Sequence, residues 1–275
     1  MLNKGVRVMA SKITMIEAQK RKGRFNVYVD GVYAFPISEN VMIKYRIFKG
    51  MEIDDELKEE LVNADDISKL YSKAINFLSH QLRTENEVVK KLQTYSENEQ
   101  HIAAVMQKLV ELKLVNDQSY ADSYVRTEVK KQDKGPSNVF YKLKEKQINE
   151  NLIENALNNF YSHEEMIENC QIQADKIFKK HKRDAYKNRL DKTKLALMKK
   201  GYPTDVVLSV MEDMDFEVDE EDQIDLLRQQ GDKIWHRNRK YDGMQRVMKT
   251  KQALYRKGFD MDDINSFIDD KNMDE

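Results

Sequence analysis

The residues most able to do chemistry in this 275-residue chain are its bases, and they are bunched. From Lys176 to Lys200 there are 11 Lys/Arg against Asp184 and Asp191. From Arg228 to Lys257 there are 10 against Asp232 and Asp242. Between them, Met211 to Asp225 holds nine acids and no base. The formal net charge of −1 hides this segregation into positive and negative surfaces. A positive surface of this kind meets a phosphate backbone or an acidic protein groove, in both cases through contacts that salt weakens. The candidate binding residues in the first cluster are Lys179, Lys180, Lys182, Arg183, Lys187, Arg189, Lys192, Lys199 and Lys200. In the second they are Arg237, Arg239, Lys240, Arg246, Lys249, Lys251, Arg256 and Lys257, recurring at similar places. Trp235 is suited to base stacking, but its place in a Leu227–Ile234 stripe favours a core role.

Catalytic patterns are missing. The five histidines are scattered with no i, i+4 pair, and one cysteine excludes a Cys-x-x-Cys site. There is no Gly-x-Ser-x-Gly, Walker A loop or dinucleotide glycine fingerprint. The run Asp213-Met-Asp215-Phe-Glu217-Val218 has Val where a calcium loop needs Gly, and reads as a solvated joint. The expectation is a protein that is not an enzyme and uses neither cofactor nor metal. The lone Cys170 cannot form an internal disulfide, which fits a reducing cytoplasm. No run of 18 apolar residues exists for a membrane span, and the N-terminal nine residues lack a signal-peptide pattern, with Met9 a second possible start.

The elements that position the bases are helical. With 9 Gly and 3 Pro, breakers are far scarcer than in an average chain. Only residues 12–37 alternate like strands. Ile13, Met15 and Glu17 share a face, Phe25, Val27 and Val29 follow, and Asp30-Gly31 signals a two-residue hairpin before the Val32–Ile37 run. Lys20 to Gly23 forms a longer basic turn. Ser38 is placed to cap a short helix, Met51–Ile53 to add a strand, and Asp54 to begin a helix through about Asn63.

Beyond Asp66 the chain repeats. Leu143, Leu197 and Leu254 each have apolar residues at +5, +10 and +14: Ile148, Ile153 and Leu157; Tyr202, Val207 and Met211; Phe259, Ile264 and Ile268. A weaker copy starts at Leu92. Gly201 and Gly258 follow their anchors as helix C-caps, with Gln147 in the same place after Leu143. Another helix with an i, i+3, i+4 stripe lies about 22 residues before each strong anchor. The expected architecture is mainly α: a small α+β module over 1–65, then three-helix repeats over 66–115, 116–162, 163–218 and 219–275, in an elongated array with an acidic tail.

Three stretches resemble a known family. They are Ala74-x-x-x-Leu78 with Leu82-Arg83-Thr84-x-x-Glu87-Val88-x-x-x-Leu92; Leu112-Lys-Leu-Val-Asn-Asp117-x-x-Tyr120-Ala121-x-x-Tyr124-Val125; and Lys134-Gly135-Pro136 leading to Leu143. Together they are similar to the RecX family of RecA regulators over about residues 69–270, with Gln147 replacing the usual Gly. The resemblance implies a cytoplasmic tandem three-helix protein. It implies binding along the groove of the RecA–single-stranded-DNA filament, restraining ATP hydrolysis, strand exchange and co-protease activity. The expected partners are that filament and single-stranded DNA, within it or alone, with no membrane partner and a monomeric chain. A general DNA-binding repeat protein that acts only by coating DNA is the alternative.

Overall fold

A computed structural model describes residues 11–217 and 219–273. The second possible start, Met9, and Val218 lie outside them. The chain divides into two compact bodies, one through Tyr120 and one from Ala121.

The first body opens with a four-stranded antiparallel sheet in the order β3-β2-β1-β4. Its strands are β1 (Ser11–Ala18), β2 (Arg24–Val29), β3 (Val32–Ser38) and β4 (Glu52–Ile53), with a short α1 (Glu39–Lys44) between the last two. Asp30 and Gly31 have φ of 48° and 82°, the paired positive values that a tight hairpin turn needs. The β1–β2 register shifts between Ile13 and Met15. The predicted Ile13–Met15 face is therefore interrupted. Ile13 is buried, Met15 is exposed, and Ile16 packs on the core instead. The Thr14 hydroxyl donates to the Tyr28 carbonyl and accepts from the Gly31 amide in that irregularity. Val27, Phe35, Ile37, Val41, Ile47, Ile53 and Leu61 complete this core.

One helix, α2 (Asp55–Leu78), runs on from there, where the sequence predicted a break near Asn63. Nothing in Ala64-Asp65-Asp66 breaks a helix, and Asp65 does not cap a new one. Its buried carboxylate accepts from Arg24 Nη1 at 2.6 Å and from the Ser38 amide at 2.8 Å. Ser38 spends its own hydroxyl on Ser68 rather than on capping α1. The C-terminal half of α2 then packs with α3 (Glu85–Gln93) and α4 (Glu99–Glu111) around Leu70, Ala74, Val88, Leu92, Val105 and Leu109. Thr84 and Glu87 form a reciprocal capping box at α3.

The second body is built from α5 (Asp117–Lys131, from Ala121), α6 (Pro136–Glu145) and α7 (Glu150–Phe160), then α8 (His163–Lys180), α9 (Tyr186–Lys199) and α10 (Thr204–Asp213), then α11 (Glu220–Arg237), α12 (Gly243–Arg256) and α13 (Met261–Met273). The repeated anchors have a local cause. After α6, α9 and α12 the chain makes the same Schellman turn. Gln147, Gly201 and Gly258, at φ of 64°, 89° and 85°, donate to Lys144, Met198 and Tyr255. The next amides, of Ile148, Tyr202 and Phe259, reach back to Leu143, Leu197 and Leu254 at 3.3–3.4 Å. The +5 apolar residue is thus the one that closes the helix end over its anchor. All six side chains are buried.

Equivalent joints link neighbouring three-helix units of this body. Asn138, in the first turn of α6, donates to the Lys199 carbonyl beside Gly201. Asn188, in the first turn of α9, donates to the Lys257 carbonyl beside Gly258. Gln173 of α8 donates to the Gln132 carbonyl, and Gln230 of α11 to the Arg183 carbonyl. In the run after α10, read from sequence as a solvated joint, Phe216 is buried with its ring 4.5 Å from that of Phe178. One aromatic among acids pins the segment by apolar burial.

Candidate binding surfaces

The two basic clusters occupy matching parts of consecutive units. A shift of 57 residues, the distance from Leu197 to Leu254, carries Lys180 onto Arg237, Lys182 onto Arg239 and Arg183 onto Lys240. The same shift carries Lys192 onto Lys249, Lys199 onto Arg256 and Lys200 onto Lys257. The first three pairs sit at the turn joining the unit's first and second helices, and the rest on or just after the second helix. Within α9, Lys192, Leu195 and Lys199 follow i, i+3, i+7 spacing, and Leu195 is 67% exposed.

Most of the candidates are at the surface, and some are already engaged. Lys179 pairs with Asp175 at 2.8 Å, and Lys192 with Asp184 at 2.6 Å. Burial would raise the Asp184 carboxyl, but the hydrogen bond and charge of Lys192, with His181, hold it below the usual carboxylate range. Lys200 reaches Asp133 across the joint at 2.5 Å and keeps that carboxyl low as well. Lys251 donates to Asn265 Oδ1 at 2.6 Å. Lys187 lies over the Tyr255 ring, and both Lys240 and Lys249 lie over Tyr241. Lys180, Lys182, Arg183, Lys199, Arg237, Arg256 and Lys257 are exposed, with no carboxylate in ion-pair range among the described residues.

Arg189 and Arg246 are a different matter, although the sequence grouped them with the surface bases. Arg189 is 7% exposed, its guanidinium 3.7 Å from the Phe178 ring centre and donating to the Phe178 carbonyl. Burial pulls its pKa below the ordinary arginine value. Arg246 repeats this on Trp235, at 3.9 Å from the ring and donating to the Trp235 carbonyl. Both pairs brace the end of a first helix against the second, a stacking that suits the flat guanidinium. The surface role expected of Arg189 therefore fails, because its side chain is spent inside the unit. Trp235 is buried, as its stripe predicted.

Opposite charge gathers at the joint between the last two units. Asp215, Glu217, Asp219, Glu220, Asp260 and Asp263 rim a groove whose apolar lining includes Phe216, Tyr255 and Phe259. Burial, together with Asp260, Asp262 and Glu220, raises the Asp263 carboxyl. Sequence reasoning saw the acids but not that Asp260 and Asp263 join those of the linker. Cys170 is fully buried and its thiol is pushed up to about 12 by desolvation, so it is an unreactive core residue. No group of three His, Cys, Asp or Glu side chains is placed to hold a metal ion among the described residues. None of the helices there is long and apolar enough to cross a membrane.

Four family models match the chain in order. The regulatory protein RecX N-terminal domain matches residues 11–54, and the first, second and third RecX three-helix domains match residues 71–109, 116–157 and 220–268. Helices α8 to α10 lie between the last two matches. The regulatory protein RecX of Levilactobacillus brevis is 44% identical over 94% of this chain and 97% of its own length. That of Enterococcus faecalis is 34% identical over 95% and 98%. A crystal structure of regulatory protein RecX superposes with a TM-score of 0.67 at 37% identity, covering 74% of this chain and all of that one. RecX from Lactobacillus salivarius gives 0.52 at 39% identity over 54% of this chain and 96% of that one. Near-complete coverage by relatives of this identity, with the N-terminal and three-helix models in sequence, places the chain in the RecX family of regulatory proteins.

Proposed function

We propose that the protein is a non-enzymatic regulator of RecA that binds the RecA–single-stranded-DNA filament and restrains its ATPase, strand-exchange and co-protease activities. The observation that carries this reading is the 57-residue recurrence of exposed bases on successive units of a chain related end to end to proteins named regulatory protein RecX. A single lysine-rich helix is commonplace. Bases repeated in register on stacked units suit a ligand that is itself periodic and anionic. Several weak contacts to neighbouring subunits would add as avidity. Such a protein would work in the cytoplasm as a monomer. Here Lys179, Lys180, Lys182, Arg183, Arg237, Arg239 and Lys240 at the two interhelical turns are the main binding residues, with Lys187, Lys192, Lys199, Lys200, Lys249, Lys251, Arg256 and Lys257 in support.

Changing Lys179, Lys180, Lys182 and Arg183 together to Glu tests the surface. We expect filament binding in about 150 mM salt to fall at least tenfold and helicity to stay unchanged, since none of the four is buried. Filament pull-down and the DNA-dependent ATPase rate of RecA read the effect. Undiminished binding removes the cluster from the interface. ATPase, strand exchange and filament length all unmoved by saturating wild-type protein reject the whole reading. Equal affinity for bare single strands and for preformed filaments, over a salt series, would favour simple coating of DNA.

A further inference from the structure

The basic turn between β1 and β2 has no part in the reading above, and it borders a pocket in the first body. In sequence the turn is Lys20-Arg21-Lys22-Gly23-Arg24, four bases in five residues. Gly23, at φ 74°, reverses the chain, and its carbonyl accepts from the Glu39 amide at 3.0 Å, fixing the turn against the start of α1. The facing wall is one stripe of α2, where Ser68, Ser72 and Asn76 follow i, i+4, i+8 spacing and Lys69 and Lys73 stand beside them. The space between is about 810 Å³.

Charge in this pocket is lopsided. Arg21, Lys22, Arg24, Lys69 and Lys73 line it against the single carboxylate of Glu39. Two of the bases are held by acids behind the wall. Arg24 pairs with buried Asp65 at 2.6 Å, and Lys69 bridges Asp65 and Asp66 at 3.1 and 2.9 Å. Those two carboxylates offset the two bases, so the pocket's net positive charge comes from Arg21, Lys22 and Lys73 against Glu39. Arg21, Lys22 and Lys73 are exposed and outside ion-pair range of any carboxylate among the described residues, and Lys73, now 5.1 Å from the Tyr95 ring centre, has to leave that ring to reach a phosphate. Tyr33, 51% exposed, stands at the same pocket with its ring edge-on to Tyr28. Bases around a concave polar wall suit phosphate oxygens, and an accessible ring beside them suits an unstacked base.

We propose that this pocket, independently of the repeat surfaces, binds the phosphodiester backbone of single-stranded nucleic acid through Arg21, Lys22 and Lys73, with Tyr33 stacking on a base. Free phosphate shares the chemistry but makes no use of the ring, so the two sources are separable.

The test is fluorescence anisotropy of a labelled oligothymidylate with the full-length protein, without recombinase, between 50 and 200 mM salt. It therefore succeeds or fails apart from any filament measurement. Losing three phosphate contacts should flatten the slope of log affinity against log salt by about 2, so that the affinity lost at 50 mM exceeds that lost at 200 mM by roughly 20-fold. Arg21→Glu, Lys22→Glu and Lys73→Glu together should do this, and Tyr33→Ala alone should cost roughly 5-fold or more with an unchanged slope. The neutral set Arg21→Gln, Lys22→Gln and Lys73→Gln should give a smaller loss in the same direction, which keeps the test decisive should the reversed charges unfold the module. Cross-links from 4-thiothymidine should map to residues 19–24 or 68–76. Wild-type affinity and slope in both triple variants, with no cross-link there, overturn the site. Displacement of the oligonucleotide by equimolar pyrophosphate, with Tyr33→Ala silent, overturns the nucleic-acid assignment in favour of a free phosphate ligand.

Discussion

The joints that hold successive units in register make a sharp prediction at Gly135. This residue is the N-cap of α6, with φ −73° and ψ 165°, a conformation any residue adopts. Replacing it with Ala therefore adds no backbone strain, and what changes is space. A Cβ there would sit well inside 3.0 Å of the Gly201 carbonyl carbon and oxygen and of the Tyr202 nitrogen. All three are backbone atoms of a closed Schellman turn, so none can swing aside. The joint must open, and with it go the Gly135 amide to Lys200 carbonyl bond at 2.9 Å, Ser137 to Gly201 at 3.1 Å, and the Asn138 side chain to Lys199 at 2.9 Å. At about 1 kcal/mol net for each bond, the cost is on the order of 3 kcal/mol. Overpacking costs about 1–3 kcal/mol where a core cannot relax, which agrees. For a body of this size that lowers Tm by roughly 6–12 °C. Calorimetry gives the shift, and amide exchange at Ser137 and Gly201 locates it. Gly243→Ala is the control, because a Cβ at the start of α12 meets nothing within 4 Å. A Gly135→Ala protein melting within a degree of wild type, with those amides still protected, would refute the argument that backbone contact holds neighbouring units in register.

Two further outcomes follow from the same contacts. Gln147 holds a left-handed φ of 64° in the turn where the next two units use glycine, so Gln147→Gly should stabilise the second body by about 0.5–1 kcal/mol, read as a higher urea midpoint at unchanged m-value. For Asp65, burial pushes the carboxyl up, but hydrogen bonds from Arg24, Lys69 and the Ser38 amide more than offset that and leave its pKa below the ordinary value. A folded-state pKa below the unfolded one stabilises above the unfolded value, about pH 4, and the gain is lost as pH falls through the folded value; Asp65→Ala should cost about 3–5 kcal/mol at pH 7 and flatten that acid limb, and a limb unchanged in the variant would dissociate Asp65 from it.

What the sequence disclosed depended on whether the physics was local. The Schellman turns after Leu143, Leu197 and Leu254 show because C-cap, anchor and closing residue lie within five positions. The hairpin shows because Asp30-Gly31 is itself the turn. The RecX resemblance likewise rests on short motifs around Leu82 and Asp117. Facts that depend on distant partners did not show. The continuity of α2 turns on Asp65 meeting Arg24, 41 residues away. The displacement of Met15 from the core turns on an irregular register with β2. At the surfaces, sequence grouped Arg189 and Arg246 with the exposed bases because charge alone does not say which arginine has a ring to lie on.

Those two arginines also bear on how the surface is built. Phe178 and Trp235 precede their arginines by the same 11 residues, and each stack ties the end of a first helix to the second helix across the turn that carries Lys180, Lys182 and Arg183 or Arg237, Arg239 and Lys240. A turn holding three bases in four residues repels itself and gains from being splayed in solvent. Under the first turn the buried Arg189 guanidinium sets the geometry through an aromatic ring and a backbone carbonyl, partners that carry no net charge. A carboxylate in that place would have fixed the turn equally well and cancelled part of its field. The stacked arrangement at Arg189 keeps that turn ordered and leaves the positive charge of Lys180, Lys182 and Arg183 available to an anionic partner.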